Sequence, residues 1–184
     1  MRNYEACDIC GKVPKVHIGG GKDNLPDRSL CCNCYNREMA DMYAVEMPDN
    51  VPERLTFNDK NGKPRDFEIE FMIFGTGKSL IATEIGKLKR RADVWGILDD
   101  DFDDMLALLK KRIKKALSVN YMNPDRSIKD GKLVGYIDYD SEKDDYVIFI
   151  DGKPFSWDEL GRNVSTYEGW KIKIEFGSIS DDLD

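Results

Sequence analysis

The chain has 184 residues, enough for one ordinary domain and a small accessory unit but too few for two full-sized domains. Hydrophobic residues make up 41% and charged residues 34%, which fits a folded protein with a charged surface. The net charge of −7 opposes general binding to nucleic acid, which depends on neutralising phosphates. No signal segment begins the chain and no apolar run has the roughly 20 residues of a membrane helix, so we expect a cytoplasmic protein without membrane contact.

Two Cys-x2-Cys pairs dominate the first segment, residues 1–46. They are separated by 20 residues, a spacing typical of a four-thiolate zinc site. In a reducing compartment disulfides are not expected, and so small a segment has little core of its own without a metal. We therefore predict a finger resembling a treble clef or zinc ribbon, in which structural Zn²⁺ is bound by Cys7, Cys10, Cys31 and Cys34.

The alternative interpretation is four buried thiols without a metal. Cys32 could replace Cys31 as a ligand, but only Cys31 keeps the Cys-x2-Cys spacing. His17, the single histidine, lies between the pairs and is expected to have a packing or surface role. The glycines at 19–21 are expected to turn the chain back, and a helix is predicted over 35–45. Four thiolates complete a zinc tetrahedron, so hydrolysis at this site is not expected.

The next segment, 47–65, contains three prolines and no sustained apolar period, which predicts a linker. The main domain is predicted over 66–177. It opens with apolar residues at alternate positions from Phe67 to Ile73, which indicates a strand, and a turn with two glycines leads to a second strand at 79–85. Apolar residues at spacings of three and four then predict a helix over 102–117, with acidic residues at its start.

A second hairpin is predicted from strands at 133–139 and 146–150. Ser156 and Glu159 have the spacing of a capping box, which predicts a helix over 157–167. Apolar residues alternate with charged ones over 170–176, so a last strand is expected there, with Trp170 in the core, before an acidic tail at 178–184. The predicted fold class is α+β, a zinc finger followed by an antiparallel sheet domain of order ββαββαβ.

Two further motifs do not carry their usual chemistry. Gly77-Lys78-Ser79 ends like a phosphate-binding loop, but Met72 stands where that loop requires its first glycine. The aspartates from Asp99 to Asp103 begin like a calcium loop, but Lys110 stands at the position of the terminal glutamate. We interpret them as a hairpin turn and as an acidic helix start. Whether the chain is an enzyme stays open, with a non-enzyme favoured, because no nucleophile can be paired with a base from the sequence.

Residues 151–162, DGKPFSWDELGR, followed by STYEGW at 165–170, resemble the C-terminal signature of an uncharacterised bacterial family. In that family a CDICG finger like Cys7–Gly11 heads the chain. The resemblance covers the finger and the last strand–helix–strand unit, and it implies an architecture and no particular activity.

We expect a zinc-stabilised interaction or adaptor module that binds another protein or self-associates. Two alternatives stay open. One is a nucleic-acid-associated regulator that uses the basic helix at Lys110–Lys115, together with the basic cluster at Lys87–Arg91. The simpler interpretation of both clusters is a charged face exposed to solvent. The other alternative is an enzyme with an unrecognised carboxylate site.

Overall fold

The N-terminal finger consists of a two-stranded hairpin followed by one helix, in a computed structural model that describes residues 5–19, 27–141 and 144–177. Strand β1 (Val16–Ile18) pairs antiparallel with β2 (Arg28–Leu30), and helix α1 (Cys32–Tyr43) follows at once. The helix predicted over 35–45 is therefore present and begins three residues earlier. Most of the predicted glycine turn between the cysteine pairs lies outside the described residues.

The central sheet has four antiparallel strands, and strands that are adjacent in sequence are adjacent in the sheet. They are β3 (Arg54–Asn58), β4 (Pro64–Phe74), β5 (Gly77–Glu84) and β6 (Arg91–Gly96). Two residues separate β4 from β5, with Phe74 paired to Gly77, so the predicted tight hairpin is confirmed.

The alternation seen in β4 places Phe67, Ile69, Phe71 and Ile73 on one buried face. Helix α2 (Phe102–Ser118) covers that face, and its apolar stripe is buried: Met105, Leu109, Ile113 and Leu117. The acidic start of α2 acts as predicted, because the Asp101 side chain accepts hydrogen bonds from the backbone N–H groups of the first turn.

Strands β3 and β6 were not predicted. β3 lies inside the segment 47–65, so the interpretation of that segment as a linker does not hold for Arg54–Asn58, which pairs along β4. The signal in β3 is weak because only Leu55 and Phe57 turn inward and both are half-buried. In β6 the inward residues are small, Ala92, Val94 and Gly96, and they alternate with charged or exposed ones. The predicted order ββαββαβ is therefore corrected to ββββαβββα after the finger.

The C-terminal unit is a three-stranded antiparallel sheet with one short helix. Strands β7 (Tyr136–Asp140), β8 (Asp145–Ile150) and β9 (Lys153–Phe155) form it in that order, and helix α3 (Trp157–Val164) follows. Its core contains Met122, Ile148, Ile150 and Phe155. The predicted capping box is confirmed, since Ser156 and Glu159 exchange hydrogen bonds at the start of α3. A single 3₁₀ turn at Ser165–Tyr167 completes the predicted helix.

A close contact at Lys89, which lies between β5 and β6, joins the C-terminal unit to the central sheet. The Lys89 N–H donates to the Gly152 carbonyl at 2.7 Å, and the Tyr136 hydroxyl donates to the Lys89 carbonyl at 2.6 Å. Gly152 has φ of 77°, and a Cβ there would lie 2.8 Å from the Arg90 nitrogen. The contact therefore requires glycine at position 152.

The predicted last strand is wrong in this structure. Residues 170–177 form no strand, and the side chains expected in the core are exposed: Trp170 by 75%, Ile172 by 70%, Ile174 by 67% and Phe176 by 77%. The reason is that alternation predicts an amphipathic extended segment but does not say which sheet edge it joins. The predicted tail at 178–184 lies outside the described residues.

Across the described residues, the helices are too short or too polar to span a bilayer.

Candidate metal centre

The four predicted ligands come together at one point in the finger. The Sγ atoms of Cys7, Cys10, Cys31 and Cys34 all lie within 4.8 Å of one another, and the Sγ atoms of Cys10 and Cys31 are 3.6 Å apart. In a tetrahedral thiolate site with Zn–S bonds of about 2.3 Å, two sulfurs lie about 3.8 Å apart. The cluster thus has the dimensions of a site that could hold one metal ion.

Local backbone contacts set the first pair of cysteines. The Gly11 N–H donates to the Cys7 carbonyl, and Gly11 adopts φ of 74°, which closes a tight turn around the pair. Asp8 binds the second half of the finger twice, because its N–H donates to the Ser29 carbonyl and its carboxylate accepts from the Ser29 N–H at 2.7 Å. These contacts hold the two cysteine pairs face to face.

The second pair lies at the start of helix α1. Cys31 is the residue that precedes the helix and Cys34 lies in its first turn. The positive end of the helix dipole and the free N–H groups of that turn favour negative charge on both sulfurs. Cys31 and Cys34 are buried, as is Cys7, whereas Cys10 is exposed.

The thiols differ in how readily they ionise. Burial by itself would raise the pKa of Cys7, but backbone hydrogen bonds, the largest from Cys31, outweigh it and lower that pKa to about 6. Burial, followed by hydrogen bonds to the neighbouring thiols, raises the pKa of Cys34 to about 12. A bound cation would supply the positive charge that favours the thiolate form of the buried cysteines.

The two other candidate ligands lie outside this cluster. His17 Nδ1 lies 3.0 Å from the Ser29 hydroxyl, a contact within the β1–β2 hairpin. Cys32 is half-buried, and burial raises its pKa above the ordinary value. The cluster of close metal-ligating groups found among the described residues contains neither of them.

Asn36, which the sequence analysis did not single out, joins the finger to the central sheet. Its side-chain amide donates to the Phe71 carbonyl at 2.7 Å and accepts from the Ile73 N–H at 2.9 Å. Asn36 is buried, only two residues after Cys34 in α1. Asn36 therefore lies close to the predicted ligands in the sequence, but nothing in the sequence indicated that its side-chain amide would contact β4.

A second contact between finger and sheet is ionic and exposed. The Lys15 ammonium lies 2.8 Å from a Glu68 carboxylate oxygen and also contacts Glu70. Burial would lower the pKa of Lys15, but the hydrogen bonds and charges of the two glutamates outweigh it and raise that pKa. Apart from their charge, no sequence signal paired these residues, which are more than 50 positions apart.

The basic clusters make several contacts within the chain. Arg112 donates to the Asp93 carbonyl, and the Lys114 ammonium lies 6.0 Å from the centre of the Phe57 ring. Arg90 forms an ion pair of 2.8 Å with the buried Glu84, and Arg91 forms one of 2.6 Å with Asp93. These side chains therefore have structural contacts as well as charge. Lys78 likewise donates to the Asp100 carbonyl, and its pairing with Ile73 across β4 and β5 agrees with the interpretation of its motif as a hairpin.

The fold and the cluster define an α+β protein with a four-cysteine finger able to hold a metal ion. Three family models match successive parts of the chain, each described as a domain of unknown function: DUF7685 at 6–46, DUF7686 at 49–118 and DUF7713 at 121–181. Their extents correspond to the finger, to the central sheet with α2, and to the C-terminal unit with the segment that follows it. No curated protein and no solved structure matches the chain.

Proposed function

We propose that the cysteine cluster binds one structural Zn²⁺ and that the chain is a zinc-stabilised protein-interaction module without catalytic activity of its own. The observation that carries the metal proposal is the approach of four Sγ atoms to within 4.8 Å in a finger with few apolar residues to bury. Four thiolates are typical of zinc sites or of iron–sulfur centres. We favour zinc because it has no redox chemistry and serves as a structural ion in small fingers of this kind.

The donor set argues for structure rather than catalysis at this site. Catalytic zinc keeps a coordination position for water or substrate, whereas four cysteine ligands fill the tetrahedron. The finger is also tied to the sheet through Asn36, which is buried. A metal that orders the finger would therefore also order the helix α1 that carries this contact.

The finger supplies a surface suited to a protein partner. Ile9 lies between the ligands Cys7 and Cys10 and is 56% exposed, and Val13 is 77% exposed. Both apolar side chains are presented by the segment that the metal would hold rigid. A protein surface is favoured over nucleic acid as the partner, because the net charge is −7 and basic residues such as Arg112 and Lys114 have contacts inside the chain.

The metal proposal is tested by elemental analysis of protein purified without added metal. We expect about one zinc per chain in the wild type and loss of zinc in Cys34→Ser. Cys32→Ser is the matched control, since Cys32 lies in the same helix but outside the cluster and should keep the metal. Iron in place of zinc, or equal loss in both variants, would contradict the assignment.

The interaction proposal needs a separate experiment. The double variant Ile9→Ser, Val13→Ser should keep its zinc, because neither side chain is a ligand. It should lose a protein that the wild type captures from native lysate, and nuclease treatment should leave the wild-type capture unchanged. Capture that depends on nucleic acid and on Lys110–Lys115 would instead favour the nucleic-acid alternative.

A further inference from the structure

An apolar strand-like segment follows the C-terminal unit without joining it. Over Trp170–Phe176 every second side chain is apolar and 67–77% exposed, while Lys171, Lys173 and Glu175 occupy the positions between. Within the described residues this segment pairs with no strand. So long a stripe of exposed apolar side chains is typical of a surface that another chain covers.

The same unit has an open sheet edge. Strand β7 is the outer strand of the β7–β8–β9 sheet, so one side of its backbone faces away from the strands described. On one face of this edge Ile137 is 48% and Tyr139 49% exposed, and Tyr146, paired with Tyr139, is 57% exposed. On the opposite face lies Asp138.

The segment and the edge are complementary in apolar pattern and in charge. If the segment pairs with β7 so that Ile172 and Ile174 lie beside Ile137 and Tyr139, its lysines fall on the other face of the sheet. That is the face of Asp138, so apolar groups meet apolar groups and Lys173 lies opposite Asp138. A slip of one residue would reverse both matches, which gives the pairing a defined register.

We propose that Trp170–Phe176 adds as a fourth strand to β7 of a second copy of this chain, so that two copies exchange their C-terminal segments. Each copy carries one strand to donate and one edge to fill, and a two-fold exchange uses both. A second copy is the favoured occupant because, among the described residues, the segment pairs with no strand of its own chain and the outer edge of its own β7 has no paired strand. The inference goes beyond the proposed function, since no cysteine of the metal cluster takes part.

The mass of the full chain in solution tests the exchange, by light scattering over a concentration series. We expect twice the chain mass of 21.1 kDa for the wild type. Ile172→Lys, Ile174→Lys removes the apolar side of the donated strand and should give a monomer. The matched control Ile97→Lys changes an exposed isoleucine between β6 and α2, outside both the segment and the β7 edge, and should stay dimeric.

Mixing two defective variants gives a sharper test. The first is Ile172→Lys, Ile174→Lys, which has an intact β7 edge. The second is Ile137→Lys, Tyr139→Lys, which keeps the segment intact but places two charges on the apolar face of the β7 edge. Each variant alone should be monomeric. An equimolar mixture should form a dimer, because the intact segment of the second variant can pair with the intact β7 edge of the first. No recovery on mixing would overturn the proposal.

Three other outcomes would overturn it. A monomeric wild type with Trp170 protected from solvent would mean that the segment folds onto its own β7. A monomeric wild type with exposed Trp170 would mean that the edge stays open. A dimer that survives both variants would use another surface. The zinc content is measured in parallel, and its loss in Cys34→Ser bears on the metal site alone.

Discussion

Asn36 completes the edge of β4 where β3 ends. β3 pairs with β4 only as far as Glu68, and one further bond runs from the Ile69 N–H to the Glu53 carbonyl. In an antiparallel strand alternate residues turn both backbone groups toward the same neighbour, so the next groups on this edge belong to Phe71 and Ile73. The Asn36 amide offers them a donor and an acceptor, as two backbone groups of a neighbouring strand would.

Replacing Asn36 by alanine should therefore be costly. It leaves the buried Phe71 carbonyl and Ile73 N–H without partners, at about 1–3 kcal/mol each. Alanine is the better helix former and returns about 0.6 kcal/mol in α1. The net loss is about 1.4–5.4 kcal/mol, and at about 2–4 °C per kcal/mol for a chain of this size the melting temperature should fall by about 3–22 °C.

Asn33→Ala is the matched control, because Asn33 lies in the same helix but is exposed. Thermal unfolding of both variants gives the stability difference, and hydrogen exchange at the Ile73 amide reports the lost acceptor directly. We expect faster exchange at Ile73 in Asn36→Ala only. If the two variants melt within about 1 °C of each other and Ile73 stays equally protected, the bridge does not hold the finger to the sheet.

Three further substitutions should also have measurable effects. Lys15→Met should cost at most about 1 kcal/mol, because Lys15 and Glu68 are each about half exposed. The ion pair with Lys15 lowers the pKa of Glu68, so it stabilises the fold above the ordinary pKa of 4.5, and this stabilisation is lost as the pH falls below that value. In denaturant unfolding from about pH 7 to about pH 3, the free energy of unfolding should therefore fall less in Lys15→Met than in the wild type. Gly161→Ala should stabilise the protein by about 1 kcal/mol, because Gly161 lies in α3 with open space around its Cβ position, whereas Gly152→Ala should destabilise it through the clash with Arg90. Melting temperatures that move in the same direction in both glycine variants would contradict this assignment.

The cysteine cluster was predictable because its information is local. Two pairs with two-residue gaps can reach a common point with any turn long enough to bring them together. Helix α2 was predictable for the same reason, since its apolar stripe, acidic start and basic end all lie in one stretch of sequence. Neither prediction needed to know what packs against the element.

The missed features all depend on distant partners. β3 has two half-buried apolar side chains, and its place in the sheet is set by pairing with β4. The Asn36 bridge joins residues 35 and 37 positions apart, and the amide side chain has no periodicity to detect. Residue propensities indicate whether a segment can form a strand, but they do not indicate which other strand it will pair with, because that depends on residues far away in the sequence.

The segment Trp170–Phe176 has the local pattern of a strand but no pairing partner that the sequence identifies. Its alternation satisfies every local requirement of a strand, yet the described residues give it no neighbouring strand and leave its apolar side chains largely exposed to water. Exposing four large apolar side chains forgoes roughly 1.5–3 kcal/mol for each one that could be buried. A sequence selected only to be an exposed tail would gain nothing from keeping apolar residues at every second position and lysines between them. The pattern is instead what a donated strand requires, and so the disagreement between sequence and fold is itself the reason to look for the missing neighbour in a second copy of the chain.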